Sequence, residues 1–280
     1  MVIWKSADRL SDAQWDETLA ALPGANVFQS SAWARHKADF GWRALRVLSG
    51  ESAAQVLVKD LPAGGRVLWA RGGPVGTPGQ WNLGLREALV SAAEGRFIYG
   101  RICTYRMIDS AEERGLWAAG WARPERPLDR NMTYILDLTP EPEALTSGLS
   151  SNWGHNARRA QKRVDIRDWP SPDTAEMEAV YLAMESYKGL SAQHRAPALA
   201  SLIKALGPAL ILKRAVFEGR TVGLRACAVF AGRAVDLTPW RARLAASCGR
   251  PSCSRSQRAP AAARSCAPAR PRRSRRVAPP

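Results

Sequence analysis

Residues Leu149–Arg167 read LSSNWGHNARRAQKRVDIR, and the rhythm of this stretch organises the rest of the chain. Ser150 or Ser151 is placed to cap a helix, its hydroxyl accepting from an otherwise unpaired first-turn amide. Beyond the cap, Trp153, Ala157 and Ala160 share one face at helical spacing. Asn156, Arg159 and Arg163 form a second stripe, and His155, Arg158 and Lys162 a third. Val164 and Ile166 then fall two apart, with Trp169 beyond them, which predicts a half-buried strand. A helix this rich in cations, leading into a strand, suits a protein that holds an anionic, phosphate-bearing ligand. A solvated amphipathic helix has the same pattern, and periodicity alone favours it.

Composition narrows the field. The 280 residues suffice for one large or two ordinary domains, and 46% hydrophobic with 24% charged residues is globular composition. The formal charge of +16 is unevenly spread. Residues 241–280 hold eleven Arg and no Lys, Asp or Glu, leaving 30 basic and 25 acidic residues in 1–240. By charge, the first 240 residues do not read as a nucleic-acid-binding protein. The N-terminus has acids and no apolar h-region, and no apolar run is long enough to span a bilayer, so neither a secretory signal nor a transmembrane segment is expected. Cys103 and Cys227 read as small core residues. Cys248, Cys253 and Cys266 lack the spacing of a zinc site or a disulfide framework, and a cytoplasmic location is the expectation.

In chain order, Val2–Trp4 reads as a short strand. Ser11 with Gln14 is a capping box opening a helix through Trp15, Leu19 and Leu22 to Gly24. Ser30 or Ser31 opens another, with Trp33, Lys37 and Phe40 on one face and Gly41 closing it. Lys37 can lay its stem on those aromatics while its ammonium reaches a cleft. Strands at 42–48, 53–61 and 66–70 follow, and then the RGGPVG loop at 71–76, which is either a close-approach loop for a ligand or a plain turn. A helix at 83–94, a strand at 97–103, a helix at 110–119 and a strand at 132–138 complete an α/β unit. Thr139-Pro140 begins the next helix.

After the central helix and strand, helices are expected at 173–188 and 197–206. Strands at 209–217, 222–230 and 234–237, joined by tight links, form an antiparallel meander. Both halves read as helices on mostly antiparallel sheets, meeting near residue 140. From 241 the chain is almost only Arg, Ala, Pro, Ser and Cys, a composition that cannot bury a core. It reads either as a basic nucleic-acid-binding arm or, more consistently, as a GC-rich gene translated out of frame. A disordered tail, an incomplete second domain and an unpaired sheet edge at 234–237 are the expectations.

Three stretches resemble the Fem-type aminoacyltransferases, a peptidoglycan-bridge or lipid II glycyltransferase family that shares its fold with GNAT acetyltransferases. They are FQSSAWARHKADFGW (28–42), LWARGGPVG (68–76) and LTPEPEALTSGLSSNWGHNARRAQKRVDI (138–166), and the resemblance spans residues 26 to about 168. Where that family's central helix often begins Thr-Arg, this chain has Trp153-Gly154. The resemblance implies an α/β fold of tandem GNAT-like domains with mostly antiparallel central sheets. The first would be residues 1–139 and the second, truncated, 140–240, with 241–280 a tail. It implies transfer of an acyl or aminoacyl group from acyl-CoA or aminoacyl-tRNA, as co-substrate rather than bound cofactor. The acceptor would be a small-molecule or lipid-linked amine such as a cell-wall precursor. By motif position, Lys37 matches the family's phosphate-contacting lysine, and Arg158, Arg159 and Lys162 stand in the segment that supplies a phosphate-contacting arginine.

No nucleophilic triad, metal-ligand cluster or Walker-type loop is present, and the catalytic residues are not legible. His155 is a candidate base or, more simply, a surface or core histidine. Direct attack of an amine on an ester or thioester requires positioning and oxyanion stabilisation rather than a triad. Two rivals to a transferase are a nucleic-acid binder acting through its tail and an inactive remnant.

Overall fold

The computed structural model describes residues 3–77, 84–106, 108–125, 134–189 and 195–237. The tail from 241, Cys248, Cys253, Cys266 and residues 132–133 lie outside them. Two sheets are present. The first runs β1 (Lys5–Ser6), β2 (Arg43–Ser49), β3 (Ser52–Leu61), β4 (Gly65–Arg71) and β6 (Phe97–Cys103), with β5 (Val75–Gly76) also pairing β3. Its pairs are antiparallel except β4 with β6, which is parallel. The second is antiparallel throughout, in the order β10 (Arg233–Asp236), β9 (Arg220–Phe230), β8 (Leu210–Phe217), β7 (Asp165–Asp168). Among the described residues β10 is an edge strand.

Local chemistry sets most of the elements. The Ser11–Gln14 capping box opens α1 (Asp12–Ala20), whose Trp15 and Leu19 are fully buried. The Ser30 hydroxyl accepts from Trp33 N at the start of α2 (Ser31–Ala38). Glu218-Gly219 and Ala231-Gly232 all have positive φ, the paired left-handed geometry of two-residue hairpins whose twist matches the strands they join. Asp173 caps α7 (Thr174–Lys188), and Pro197 stands in the first turn of α8 (Ala196–Leu206). Met177, Tyr181 and Met184 of α7, with Leu199 of α8, pack on Leu212, Leu224 and Ala226 of the second sheet. α3 (Leu85–Ala93) covers one face of the first sheet through Leu85, Leu89 and Ala93. α4 (Ser110–Ala118) follows β6.

Several expectations are corrected. The first strand is Lys5–Ser6, because Trp4 turns into the core. Residues 134–138 form no strand. Tyr134 and Ile135 are 87% and 81% exposed, and an apolar run without a partner strand cannot satisfy a ladder. The helix expected from Thr139-Pro140 begins later, as α5 (Pro142–Ser147) with Pro142 in its first turn. A second helix, α6 (Ser151–Gln161), starts after Gly148-Leu149-Ser150, and Ser150 makes no side-chain cap bond. β7 is exposed at every residue. Ile166 lies on the sheet face that α7 and α8 do not cover, and burial begins only at Trp169.

The first sheet contains a gap that one side chain fills. β3 pairs β4 through residues 57–61 and β5 through 52–53, which leaves the amide and carbonyl of Gln55 without a strand partner on that side. Gln29, wholly buried, supplies both. Its Oε1 accepts from Gln55 N at 2.8 Å, and its Nε2 donates to Gln55 O at 3.1 Å and to Arg71 O at 2.8 Å. The RGGPVG loop folds tightly around it. A Cβ on Gly73 would lie 2.4 Å from the Gln29 side chain, and one on Gly72 2.4 Å from that of Asn26. Asn26 Nδ2 donates to Gly72 O at 2.7 Å. These two glycines therefore make room for buried amides of the protein itself, so the plain-turn reading fits this loop better than the ligand reading.

Replacing Gln29 by Ala should cost about 2–4 kcal/mol in urea unfolding, from a cavity and three backbone groups that lose a partner. Gly73→Ala should cost about 1–3 kcal/mol by overpacking. Because both act on one contact, Gly73→Ala should cost much less in the Gln29→Ala background. Additive losses would refute the gap-filling account.

Candidate functional site

The segment that carries Gln29 also builds a cationic, aromatic cleft. A short 3-10 turn, Val27–Gln29, is capped by Asn26, whose side chain accepts from Phe28 N. It presents the Phe28 ring at the centre. Trp33 meets that ring edge-on at 4.7 Å between centroids, and Tyr105 does so at 5.7 Å. One helical turn past Trp33, Lys37 Nζ lies 4.7 Å from the Trp33 ring centroid, as its spacing predicts. Arg71, the last residue of β4, lays its guanidinium 4.0 Å from the Phe28 centroid and donates from Nε to the Tyr105 hydroxyl at 2.9 Å.

Electrostatics mark this pair of cations. Both are half-buried, and among the described residues no carboxylate pairs with either. Burial first, and the like charge of Arg71 second, hold the Lys37 ammonium below the usual lysine range. The indole N–H of Trp33, itself 5% exposed, has no acceptor among the described residues. Spare donors and two uncompensated charges on a partly dry aromatic floor form a place for an anion, where charge-assisted bonds are strongest.

The cleft is braced from the second sheet's side. Leu206 of α8 and Ala228 of β9 pack with Val27, Phe28, Trp33 and Leu57 in one apolar cluster. His36, on the buried side of α2, sits between Trp33 and Phe40, and its Nδ1 lies 2.9 Å from Ser201 Oγ of α8. Burial, and then the charge of Lys37, lower its pKa to about 4, so it is neutral at pH 7 and serves as a brace.

The other sequence candidates are carried by an exposed helix. Arg158, Arg159 and Lys162 are exposed on or just past α6, a helix with no buried residue. No hydrogen bond, ion pair or ring contact joins them to Lys37 among the described residues. His155 is likewise exposed on α6. Sequence reasoning passed over Arg71 and Tyr105. The available signal was an Arg ending a strand just before a glycine loop, inside a quoted motif. Among the described residues no group of His, Cys, Asp or Glu is arranged to hold a metal ion, and no helix is long and apolar enough to cross a membrane.

The two sheets, one largely and one wholly antiparallel, meet at a shared apolar cluster in a Fem-type fold. Among solved structures the chain is similar to FemX, with a TM-score of 0.60 and 17% identity over 76% of this chain and 57% of FemX, so it spans somewhat over half of that protein's length. It is also similar to a conserved protein of unknown function from Bacteroides thetaiotaomicron VPI-5482 (TM-score 0.45, 14% identity, 81% of this chain and 75% of that one). A tandem GNAT protein from the clavulanic acid biosynthesis pathway gives a TM-score of 0.43 at 14% identity, over 84% and 78%. No protein-family model matches the chain, and no curated protein does.

A buried neutral histidine ties stability to pH. The unfolded chain takes up a proton near 6.5 and the folded one only near 4, so stability is full above about pH 6.5 and is lost as the pH falls toward 4. His36→Gln should therefore show a smaller drop in Tm between pH 7 and pH 4.5 than the parent. Equal drops would show that His36 does not couple.

Proposed function

We propose that this chain is an acyl- or aminoacyltransferase that grips an anionic, phosphate-bearing acceptor between Lys37 and Arg71 and acylates an amine of that acceptor. The observation that carries the reading is the pair of half-buried cations on the Phe28–Trp33 rings with no carboxylate partner among the described residues, within a Fem-type fold. A diphosphate is the natural occupant, since it offers several oxygens to a planar guanidinium fork and a point-like ammonium together. A small-molecule or lipid-linked cell-wall precursor has this chemistry.

In the reaction, the acceptor amine attacks the carbonyl carbon of an ester or thioester. The tetrahedral adduct collapses with loss of the alcohol or thiol, and the amine gives up its proton. The protein's share is to hold the two reactants in register, which is where most of the gain in such a reaction lies. The donor is aminoacyl-tRNA or acyl-CoA, compounds of the cytoplasm, where we place the reaction. Arg158, Arg159 and Lys162, unpaired among the described residues, are included as further phosphate contacts that form when the acceptor is present.

Lys37→Ala and Arg71→Ala should each weaken calorimetric binding of a nucleotide-diphosphate-sugar peptide precursor by about 1.5–3 kcal/mol, the worth of a charge-assisted bond. Each should also flatten the salt dependence of binding. Unchanged affinity and salt dependence in both variants would refute the proposal.

A further inference from the structure

One stretch of the chain forms helices and yet buries nothing. From Tyr134 to Asp168 no residue is buried, although α5 and α6 both lie within it. Helices of six and eleven residues are marginal in water when no face of them is packed, so these need a surface to lie on. The stretch offers two sets of side chains to such a surface. The first is apolar. Tyr134 and Ile135 stand almost wholly in water, Leu136 and Leu138 are 70% and 59% exposed, and Leu149, between the two helices, is 42% exposed. Trp153, Ala157 and Ala160 continue this character as a stripe along one face of α6.

The second set is cationic. Arg158, Arg159, Lys162 and Arg163 stand on or just past α6, all of them exposed, and among the described residues none has an ion pair. Residues 144–164 contain no Asp or Glu. Of the acids that flank them, Asp165 is paired with Arg167, while Glu141 and Glu143 lie at the start of the preceding helix. At 3.6 residues per turn the four cations fall on the sides and back of α6, away from the Trp153–Ala157–Ala160 stripe. Their stems are long enough to lie along apolar surface while the charges reach past it.

We propose that residues 134–163 dock on an anionic membrane surface. α6 lies in the plane of the interface, Leu149 and the aliphatic side chains of 134–138 enter the acyl boundary, and the four cations meet headgroup phosphates. A helix with cations on one side, an apolar stripe on the other and low overall hydrophobicity is the pattern of helices that lie in an interface. A lipid surface is the favoured occupant because it sets an apolar layer beside a layer of anions. A nucleic acid would meet the cations and leave Ile135, Leu136 and Leu138 in water. An apolar protein groove would cover those and leave the cations unpaired. Among the described residues no helix can cross a bilayer, so the contact is peripheral. The inference uses this stretch alone and does not rest on the transferase reading.

The test is cosedimentation of the full chain with phosphatidylcholine vesicles containing about one-third phosphatidylglycerol, or none. Leu136→Ser/Leu138→Ser/Leu149→Ser leaves the charge, including the eleven arginines of 241–280, untouched. It should weaken binding to the anionic vesicles at least about tenfold and remove the part of the parent's binding that survives raised salt. Leu136→Trp/Leu138→Trp should bind at least as tightly as the parent, since Trp favours the interface. Arg158→Gln/Arg159→Gln/Lys162→Gln/Arg163→Gln should weaken binding about fivefold for each cation in the headgroup layer. The Tm and far-ultraviolet circular dichroism of each variant should match the parent, because every substituted side chain is exposed. Parent-like vesicle binding by the serine variant overturns the proposal and leaves adsorption through the basic tail. A glutamine variant that loses binding to a single-stranded RNA oligonucleotide but keeps its binding to the vesicles also overturns it, and assigns the helix to nucleic acid.

Discussion

A single side-chain amide completes the first sheet, and the cleft depends on it. Gln29 closes the rung between β4 and β5 that no strand supplies, and in doing so fixes three things at once. It holds the carbonyl of Arg71, setting where that guanidinium begins. It ends the turn that presents Phe28. Its own carbonyl accepts from Trp15 Nε1 at 2.9 Å, which ties the turn to α1. An amide can serve here because it offers donor and acceptor side by side, as a peptide unit does. A carboxylate or an apolar residue would leave buried backbone groups unpaired.

Around this rung the buried polar groups form a continuous set. The Gln55 side chain donates to Ser30 O at 2.8 Å and accepts from Arg46 Nε at 3.1 Å, and Arg46 pairs with Asp12 at 2.9 Å while lying over the Trp15 ring. Arg46 is thus a buried charge with a partner. Lys37 and Arg71, half-buried on the same side of the sheet, have no carboxylate partner among the described residues. That contrast within a few residues is what singles the cleft out, since a fold that pairs one buried cation so fully leaves two others uncompensated.

What was legible in the sequence was mostly local. The Ser11–Gln14 box, the Ser30 cap, the hairpin turns and the Trp33–Lys37 contact are each written within a few residues, and each forms. The two sheets, largely antiparallel, followed from strand runs and tight links. Gln29 was legible only as a letter in a motif, because its partners are 26 and 42 residues away. Arg71 went unremarked for the same reason, its neighbours Phe28 and Tyr105 being distant in sequence. The run at 134–138 misled because an apolar segment looks the same whether or not a partner strand exists. β7 misled because alternation gives a strand its two faces but not which of them is covered.

The central claim is that Lys37 is held as a partly dry, uncompensated cation waiting for an anion. Titration of its Nζ by heteronuclear magnetic resonance, with and without inorganic pyrophosphate, measures this directly. The account predicts a pKa below that of an ordinary lysine in the free protein and a rise when pyrophosphate is added, because an anion between Lys37 and Arg71 offsets both burial and like-charge repulsion. A Lys37 that titrates like an exposed lysine and does not respond to pyrophosphate would contradict it.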